Sequence, residues 1–556
     1  MDLLLPILVL LPLLAGVAIL LAPEAMAKHL AFAFACAELG LAIALWSAGG
    51  ASGGSGAEVG YRWASDLLYI PEIGTGVLLG VDAISYWLVL LTAILMPLVV
   101  FASYGSVTTK EKGYYFWLTV LVTPMVGTFL ARDALLFYVF FELTLVPMFF
   151  LIGIWGGDDR LRAAKKFFLY TFVGGVFTLG ALIYIGANAN SFELAQMARW
   201  AQQPENLSGG AKTVVFVALL AGFAVKVPLF PVHTWLPLAH TVAPTAGSVI
   251  LAGVLLKLGT YGLLAVVLPL GVLTSGGLLP SMSGTILPFV AILSIIGVIY
   301  GALVAWVQAD VKKLVAYSSV SHLGFCVLGL VALNDWGMQG SVFYMINHGI
   351  STGALFLLIG MIYDRYHTRM FDDYGGLGKV MPVFSFFLVL FTMSSIGLPG
   401  TNGFVSEFLT ILGAFTSDHL GPIYGACAAI GVILGAVYML HMVARLVFGP
   451  LKLPDAHGVH DTHAAAPADG VAEAEVVHAS DRPRPRDLSG REIAILTPLA
   501  ILVIVLGVLP TPLLESVRPG VERARTPVSE QIRQLRRPAV ADGVVAPAPL
   551  PLAAAE

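Results

Sequence analysis

Charge is what this chain has least of. Of its 556 residues only 12% are Asp, Glu, Lys or Arg, whereas 58% are hydrophobic. An ordinary soluble domain carries charge on about a quarter of its residues, so this balance excludes one and points to an integral membrane protein. Cysteine is scarcer still: Cys36, Cys326 and Cys427 are the only three, each inside an apolar run and none in a CxxC spacing. The chain therefore offers no iron–sulfur, zinc or disulfide framework, and the cysteines read as small core residues. No glycine-rich nucleotide fingerprint follows a strand. No metal or cofactor is expected here, and whatever drives the protein is bound elsewhere.

What the chain has in quantity is apolar runs, about fourteen of them long enough to cross a bilayer as helices. They lie near 3–22, 29–48, 77–101, 113–131, 134–155, 166–188, 212–240, 245–270, 284–306, 311–333, 338–362, 381–416, 422–449 and 493–512. The first lacks Lys or Arg before its apolar core and any cleavage pattern, so it reads as a retained helix. Lys28, Lys110, Lys112, Arg160, Arg162, Lys165, Lys166, Lys312, Lys313, Arg365, Arg369, Lys379 and Lys452 all follow odd-numbered runs. The positive-inside rule then places both termini outside the cytoplasm. Arg518, Arg523 and Arg525, just beyond the last run, count against that topology.

The expected fold is an all-α polytopic membrane protein. Helix 7 is interrupted at Pro228, Pro231 and Pro237, and helix 12 by Gly397, Leu398, Pro399, Gly400, Thr401, Asn402 and Gly403. The breaks are five helices apart, an odd number, so a repeat of that length inserts with opposite topology the second time. The expected organisation is an N-terminal three-helix segment (1–105), inverted five-helix repeats of helices 4–8 (106–270) and 9–13 (271–450), a polar loop (451–491), the last helix (492–513) and a tail (514–556) that is basic, then Pro/Ala-rich. A short amphipathic segment is expected around Val521 to Leu535. In the loop, Asp455, His457, His460, Asp461 and His463 have metal-ligand chemistry, but loop histidines this mobile commonly bind nothing.

The few charges inside the apolar runs carry the functional argument. Lys226 sits in a helix, where an ammonium costs roughly 2.5–3.5 kcal/mol on insertion scales unless it faces protein or water. The adjoining prolines predict free carbonyls at Ala224 and Val227 beside it. Glu142 is the carboxylate of an otherwise apolar helix, and Lys226 is its natural cation partner. A static ion pair pinning two helices is the structural alternative. The polar series continues through Lys257, through His322 with Tyr317, Ser318, Ser319 and Ser321, through His348 with Asn347, Ser351 and Thr352, and to Glu407 after the second break. Such groups, with water between them, pass protons. His233 and His240 suit either helix capping or a proton inlet. His441 and Arg445 share a helix face and either end the path or anchor to phosphate headgroups.

The run from Phe223 through Lys226, Pro228, Pro231, His233, Trp235 and Pro237 to His240, followed by Ala243, Pro244, Thr245, Ala246, Gly247 and Ser248, resembles the antiporter-like subunits of respiratory complex I, relatives of the multisubunit sodium/proton antiporters. The likeness spans about residues 60 to 450. Glu407, where other members characteristically have lysine, is similar to the M-type, the bacterial counterpart of mitochondrial chain 4. The resemblance implies proton pumping coupled to NADH oxidation and quinone reduction, as a subunit of an enzyme whose FMN, iron–sulfur clusters and quinone belong to partner subunits. It implies L-type and N-type neighbours, membrane lipids, a bacterial plasma membrane and no nucleic acid. Glu142 and Lys226 become a switching pair, Lys257 a central relay, His322 and His348 connecting groups and Glu407 the outlet carboxylate. A sodium/proton antiporter subunit and a purely structural membrane scaffold are the competing readings.

Overall fold

In a computed structural model, residues 3–48, 63–203, 205–207, 209–270, 286–454 and 486–536 are described. Helices α1 (Leu4–Leu21) and α2 (Ala27–Ala48) pack on each other and on the third and fourth crossings. Glu38 of α2 is buried with no protein partner for either carboxylate oxygen, and nothing in the structure explains it. Next comes an antiparallel hairpin, β1 (Trp63–Ile70) and β2 (Thr75–Val81). The apolar run expected to open helix 3 at residue 77 is thus partly strand. Helix α3 (Ala83–Ala102) begins after Asp82, whose carboxylate accepts the Ser85 N–H while Ser85 Oγ accepts the Asp82 N–H, a reciprocal cap.

The next two crossings are bent. One comprises α4 (Glu111–Val120) and α5 (Val122–Leu130), the other α6 (Ala134–Leu143) and α7 (Leu145–Trp155). In the second, Pro147 cannot donate to the Leu143 carbonyl, which loosens the turn at Thr144. After α8 (Arg160–Ala189) and the short α9 (Leu194–Gln202), the seventh crossing is broken into α10 (Gly209–Lys226) and α11 (Trp235–Val242). Pro237 lies in the first turn of α11, where a missing N–H costs no helical bond. The eighth runs through α12 (Thr245–Ile250), a π turn (Leu251–Leu255), α13 (Leu256–Gly262), a second π turn (Leu263–Val267) and α14 (Leu268–Leu270). Then come α15 (Leu287–Trp306), α16 (Val311–Val331), α17 (Asp335–Tyr366), the broken pair α18 (Pro382–Ser395) and α19 (Asn402–Phe415), α20 (Pro422–Val447), α21 (Gly490–Val508) and α22 (Thr511–Arg536).

Among the described residues, twelve helices are long and apolar enough to cross a membrane. The two broken crossings account for the difference from the expected fourteen. The eighth crossing, α16 and α17 are enclosed by the others, whereas α8 and α20 turn Phe172, Phe177, Ile430 and Ile433 outward. Lys257, His322 and His348 sit on these enclosed helices, where protein and not lipid surrounds them.

The tail is more ordered than its sequence predicts. Helix α22 begins ten residues before the expected amphipathic segment, although Pro519 and Pro527 interrupt its sequence. Its own Leu513, Val517, Val521 and Val528 are buried where it packs on α3, α14 and α17. Arg518 pairs with Glu522, Arg523 with Asp82 and Arg525 with Asp335, so the three arginines that oppose the charge rule are neutralised locally. The residues Asp455, His457, His460, Asp461 and His463 lie outside the described residues. The segment that contains them leaves where Lys452 bonds Gly375 and returns where Asp487 caps α18 and Arg365 grips Glu492 through two bonds of 2.7 and 2.8 Å.

Candidate functional site

Lys226 ends α10 and is 3% exposed. Its ammonium donates to the Phe141 carbonyl at 2.9 Å and to Thr144 Oγ1 at 3.0 Å, and lies 4.0 Å from the centre of the Phe141 ring. The bend between α6 and α7 thus supplies its seat. The Ala224 carbonyl, expected to be free, instead accepts the Leu229 N–H at 2.8 Å. Glu142, one residue from that seat, packs against the bare face of Gly175 on α8, and neither of its oxygens has a hydrogen-bond partner. The two expected partners are neighbours that are not paired in this state.

Lys257 is fully buried in α13, between the two π turns. Such turns recur at functional sites because they displace backbone groups from regular bonding. Its ammonium donates to the Ala252 carbonyl and stands 2.6 Å from His348 Nδ1 on α17. Gly253 and Gly349 permit this approach: a Cβ at Gly349 would meet the Gly253 carbonyl at 2.9 Å.

From His348 the polar groups run on. The rings of His348 and His322 are 5.7 Å apart, beside a cavity of about 20 Å³ that both line with Glu407. A space of that size holds a water molecule. His322 Nδ1 is 2.5 Å from the Tyr344 hydroxyl, which donates to Glu407 Oε1 at 3.1 Å. Glu407 rests over Gly397 in the second break, where a φ of +74° and the collision of a Cβ with Glu407 Oε2 would both disfavour a side chain. Asn347 holds the Asn402 carbonyl at 2.6 Å, and Ser394 donates to Asn402 Oδ1 at 2.5 Å, tying α17, α18 and α19 across the break.

Two groups were missed from sequence. Tyr344 joins His322 to Glu407, and Tyr438 on α20 reaches His322 Nε2 at 3.3 Å. A tyrosine in an apolar helix carries no distinctive signal, though Tyr344 falls four residues before His348 on one face.

Other candidates stand apart. Ser318 and Ser319 bond the Val315 carbonyl, and Ser321 the Val298 carbonyl. His233 is packed between Phe230 and Tyr300. His240 is fully buried on Phe356. His441 meets Phe371 edge to face, and Arg445 binds Asp372 at 2.5 Å, which ties the 367–381 loop to α20. Among the described residues no three His, Cys, Asp or Glu side chains converge as metal ligands.

Enclosed helices, two broken crossings and a buried Lys/His/Tyr/Glu series define an antiporter-like membrane subunit. The sequence pattern of the family "NADH:quinone oxidoreductase/Mrp antiporter, TM" matches residues 131–448, and that of "NADH-ubiquinone oxidoreductase chain 4, amino terminus" matches 69–130. The chain belongs to this family, on its M-type branch. It is 42% identical to NADH-quinone oxidoreductase subunit M of Rhodobacter capsulatus over 473 residues, 84% of this chain and 85% of the relative. It is 36% identical to NADH-ubiquinone oxidoreductase chain 4 of Chondrus crispus over 507 residues, 90% and 94% of the two chains. A chain of respiratory complex I from Thermus thermophilus superposes with a TM-score of 0.79 at 26% identity, covering 94% of this chain and 99% of that one. A chain of the Mrp complex from Dietzia sp. shares the fold at a TM-score of 0.78 and 21% identity, over 96% and 99%.

Proposed function

We propose that this chain is a proton-translocating membrane subunit of an NADH:quinone oxidoreductase, pumping protons out of the bacterial cytoplasm while partner subunits hold the flavin, iron–sulfur clusters and quinone. The observation that carries the reading is the polar series Lys257, His348, His322, Tyr344 and Glu407, each group hydrogen-bonded to the next or separated from it by space for one water. A proton leaving Lys257 passes to His348, crosses to His322, and moves through the Tyr344 hydroxyl to the Glu407 carboxylate. Imidazole and hydroxyl each accept on one side and donate on the other, so the series conducts without net displacement of side chains. Titration belongs to the coupled series and not to single members.

Lys226 and Glu142 are the switch. Their separation agrees with a state in which Lys226 has lost its counter-ion, the condition under which it yields its proton toward Lys257. Phe223 packs edge-on against Phe141, the ring beneath the Lys226 ammonium, with centroids 5.3 Å apart. The basic face, which carries Lys110, Arg160, Lys312 and Arg369, is cytoplasmic, and both termini are outside. The two halves are inverted repeats, and the neighbours in the membrane arm are the L-type and N-type subunits.

Glu142→Gln tests the switch. Re-pairing can no longer reload Lys226, so NADH-driven proton pumping is expected to fall by roughly 10²-fold, the scale of a lost acid/base step. Unchanged pumping stoichiometry in the assembled complex would overturn the assignment.

A further inference from the structure

Helix α8 carries Gly174, Gly175, Gly180 and Gly186, and the space beside each differs. A Cβ on Gly174 would press on the backbone of α10, 3.1 Å from Gly222 Cα and 3.3 Å from the Ala221 carbonyl oxygen. That glycine lets two helices approach, a common use of small residues at membrane depth. Gly186 faces the Phe192 ring, and Gly180 faces open space. Gly175 is different in kind. A Cβ there would lie 2.0 Å from Glu142 Oε1, 2.7 Å from Glu142 Cδ and 3.2 Å from Glu142 Oε2, so what it meets first is a carboxyl group.

Both Glu142 oxygens are buried in this berth without a hydrogen bond. A buried carboxyl in that condition is costly and calls for a reason beyond packing. An opposite charge is close at hand. The seat of the Lys226 ammonium is the Phe141 carbonyl, one residue before Glu142, and Thr144 Oγ1, two residues after it. Glu142 thus lies apart from the neighbouring charge, in a space that exists only because residue 175 has no side chain.

We propose that Gly175 is a positioning residue of the switch: its bare face is the berth of the Glu142 carboxyl when Glu142 has left Lys226, and so sets how readily the pair separates. The inference rests on the function proposed above. No covalent bond changes in this step; the carboxyl turns about its side-chain torsions between the berth and the ammonium. A methyl group at residue 175 closes the berth. What it displaces is the far end of a flexible side chain and not backbone, so the helices keep their packing while Glu142 is returned toward Lys226. A lysine held by its counter-ion keeps its proton, and the cycle stalls in the paired state.

In complexes shown by native gel to be assembled, Gly175→Ala is expected to lower NADH-driven proton pumping in inverted membrane vesicles about tenfold or more, since a disfavoured state is populated at roughly 10% or less. Gly180→Ala, on the same helix but facing open space, is expected to pump at the native rate. Two double variants separate a berth from a packing contact. Glu142→Asp draws the carboxyl back by one methylene and makes room for the new methyl, so adding it to Gly175→Ala is expected to recover pumping over Gly175→Ala alone. In a Glu142→Gln background no charge remains to recapture Lys226, and adding Gly175→Ala is expected to cause no further loss, the non-additivity of residues that act on one another. Native pumping by Gly175→Ala would overturn the berth, as would additive loss in either double variant. So would failure of both Gly175→Ala and Gly175→Ala/Glu142→Asp to assemble, which would make residue 175 a packing glycine. If Glu142→Gln lowers pumping while Gly175→Ala does not, the berth falls and the switch stands; if Glu142→Gln pumps natively, the switch falls and the berth with it.

Discussion

Lys257→Met is expected to stop proton translocation while leaving the complex assembled. Lys257 is fully buried, and its ammonium bonds the Ala252 carbonyl and His348. Methionine fills nearly the same volume with a flexible apolar chain, and replacing a buried charge by an apolar residue of like size is often neutral for stability. The loss is therefore one of chemistry: nothing at that position binds a proton, and His348 faces a thioether. Pumping in inverted vesicles should drop by roughly 10²-fold or more, with NADH oxidation falling alongside if the two are tightly coupled. Native pumping by an assembled Lys257→Met complex would remove the central relay and favour a scaffold role for the subunit.

Tyr344→Phe carries the second large effect, from a single oxygen atom. The aromatic ring stays stacked on Phe325, with centroids 6.0 Å apart and planes within 9°, so packing is unchanged. What goes is the hydroxyl between His322 Nδ1 and Glu407 Oε1. The unmade bonds cost about 1–3 kcal/mol of stability, small against the many helix contacts. Proton transfer to Glu407 then needs a water to replace the hydroxyl, and pumping is expected to fall by about tenfold to a hundredfold. Tyr438→Phe is the matched control. That hydroxyl reaches the other nitrogen of His322 at a longer 3.3 Å and, among the described residues, makes no hydrogen bond to Glu407, so its loss should be mild. Equal effects from the two substitutions would mean that the route does not run through Tyr344.

Much of this was legible in the sequence because the membrane makes polarity conspicuous. Glu142, Lys226, Lys257, His322, His348 and Glu407 stand out as ionisable groups in apolar runs, and Pro228 and Gly397 mark the breaks. The parts not legible have identifiable causes. The hairpin ends in Val77, Leu78 and Leu79, as apolar as the helix it precedes, so period alone did not separate them. Helix α22 was undercut by Pro519 and Pro527, which tertiary packing of Val517, Val521 and Val528 overrides. Lys312 looked like a loop charge beside Lys313, and only the fold turns it inward onto Ala243. The expected contact of Glu142 with Lys226 depends on side-chain conformation, which no sequence pattern specifies. Here the ammonium prefers Phe141 and Thr144, one and two residues from Glu142 on the same bent crossing.

The central claim is that a proton carried by Lys226 is part of the coupled cycle. It is tested most directly by measuring NADH oxidation and proton translocation together in inverted membrane vesicles carrying Lys226→Ala, with assembly followed by native gel. Loss of both activities in an assembled complex is the predicted result. Native rates of both would contradict it, and sodium/proton exchange would then be the activity to measure in the same vesicles.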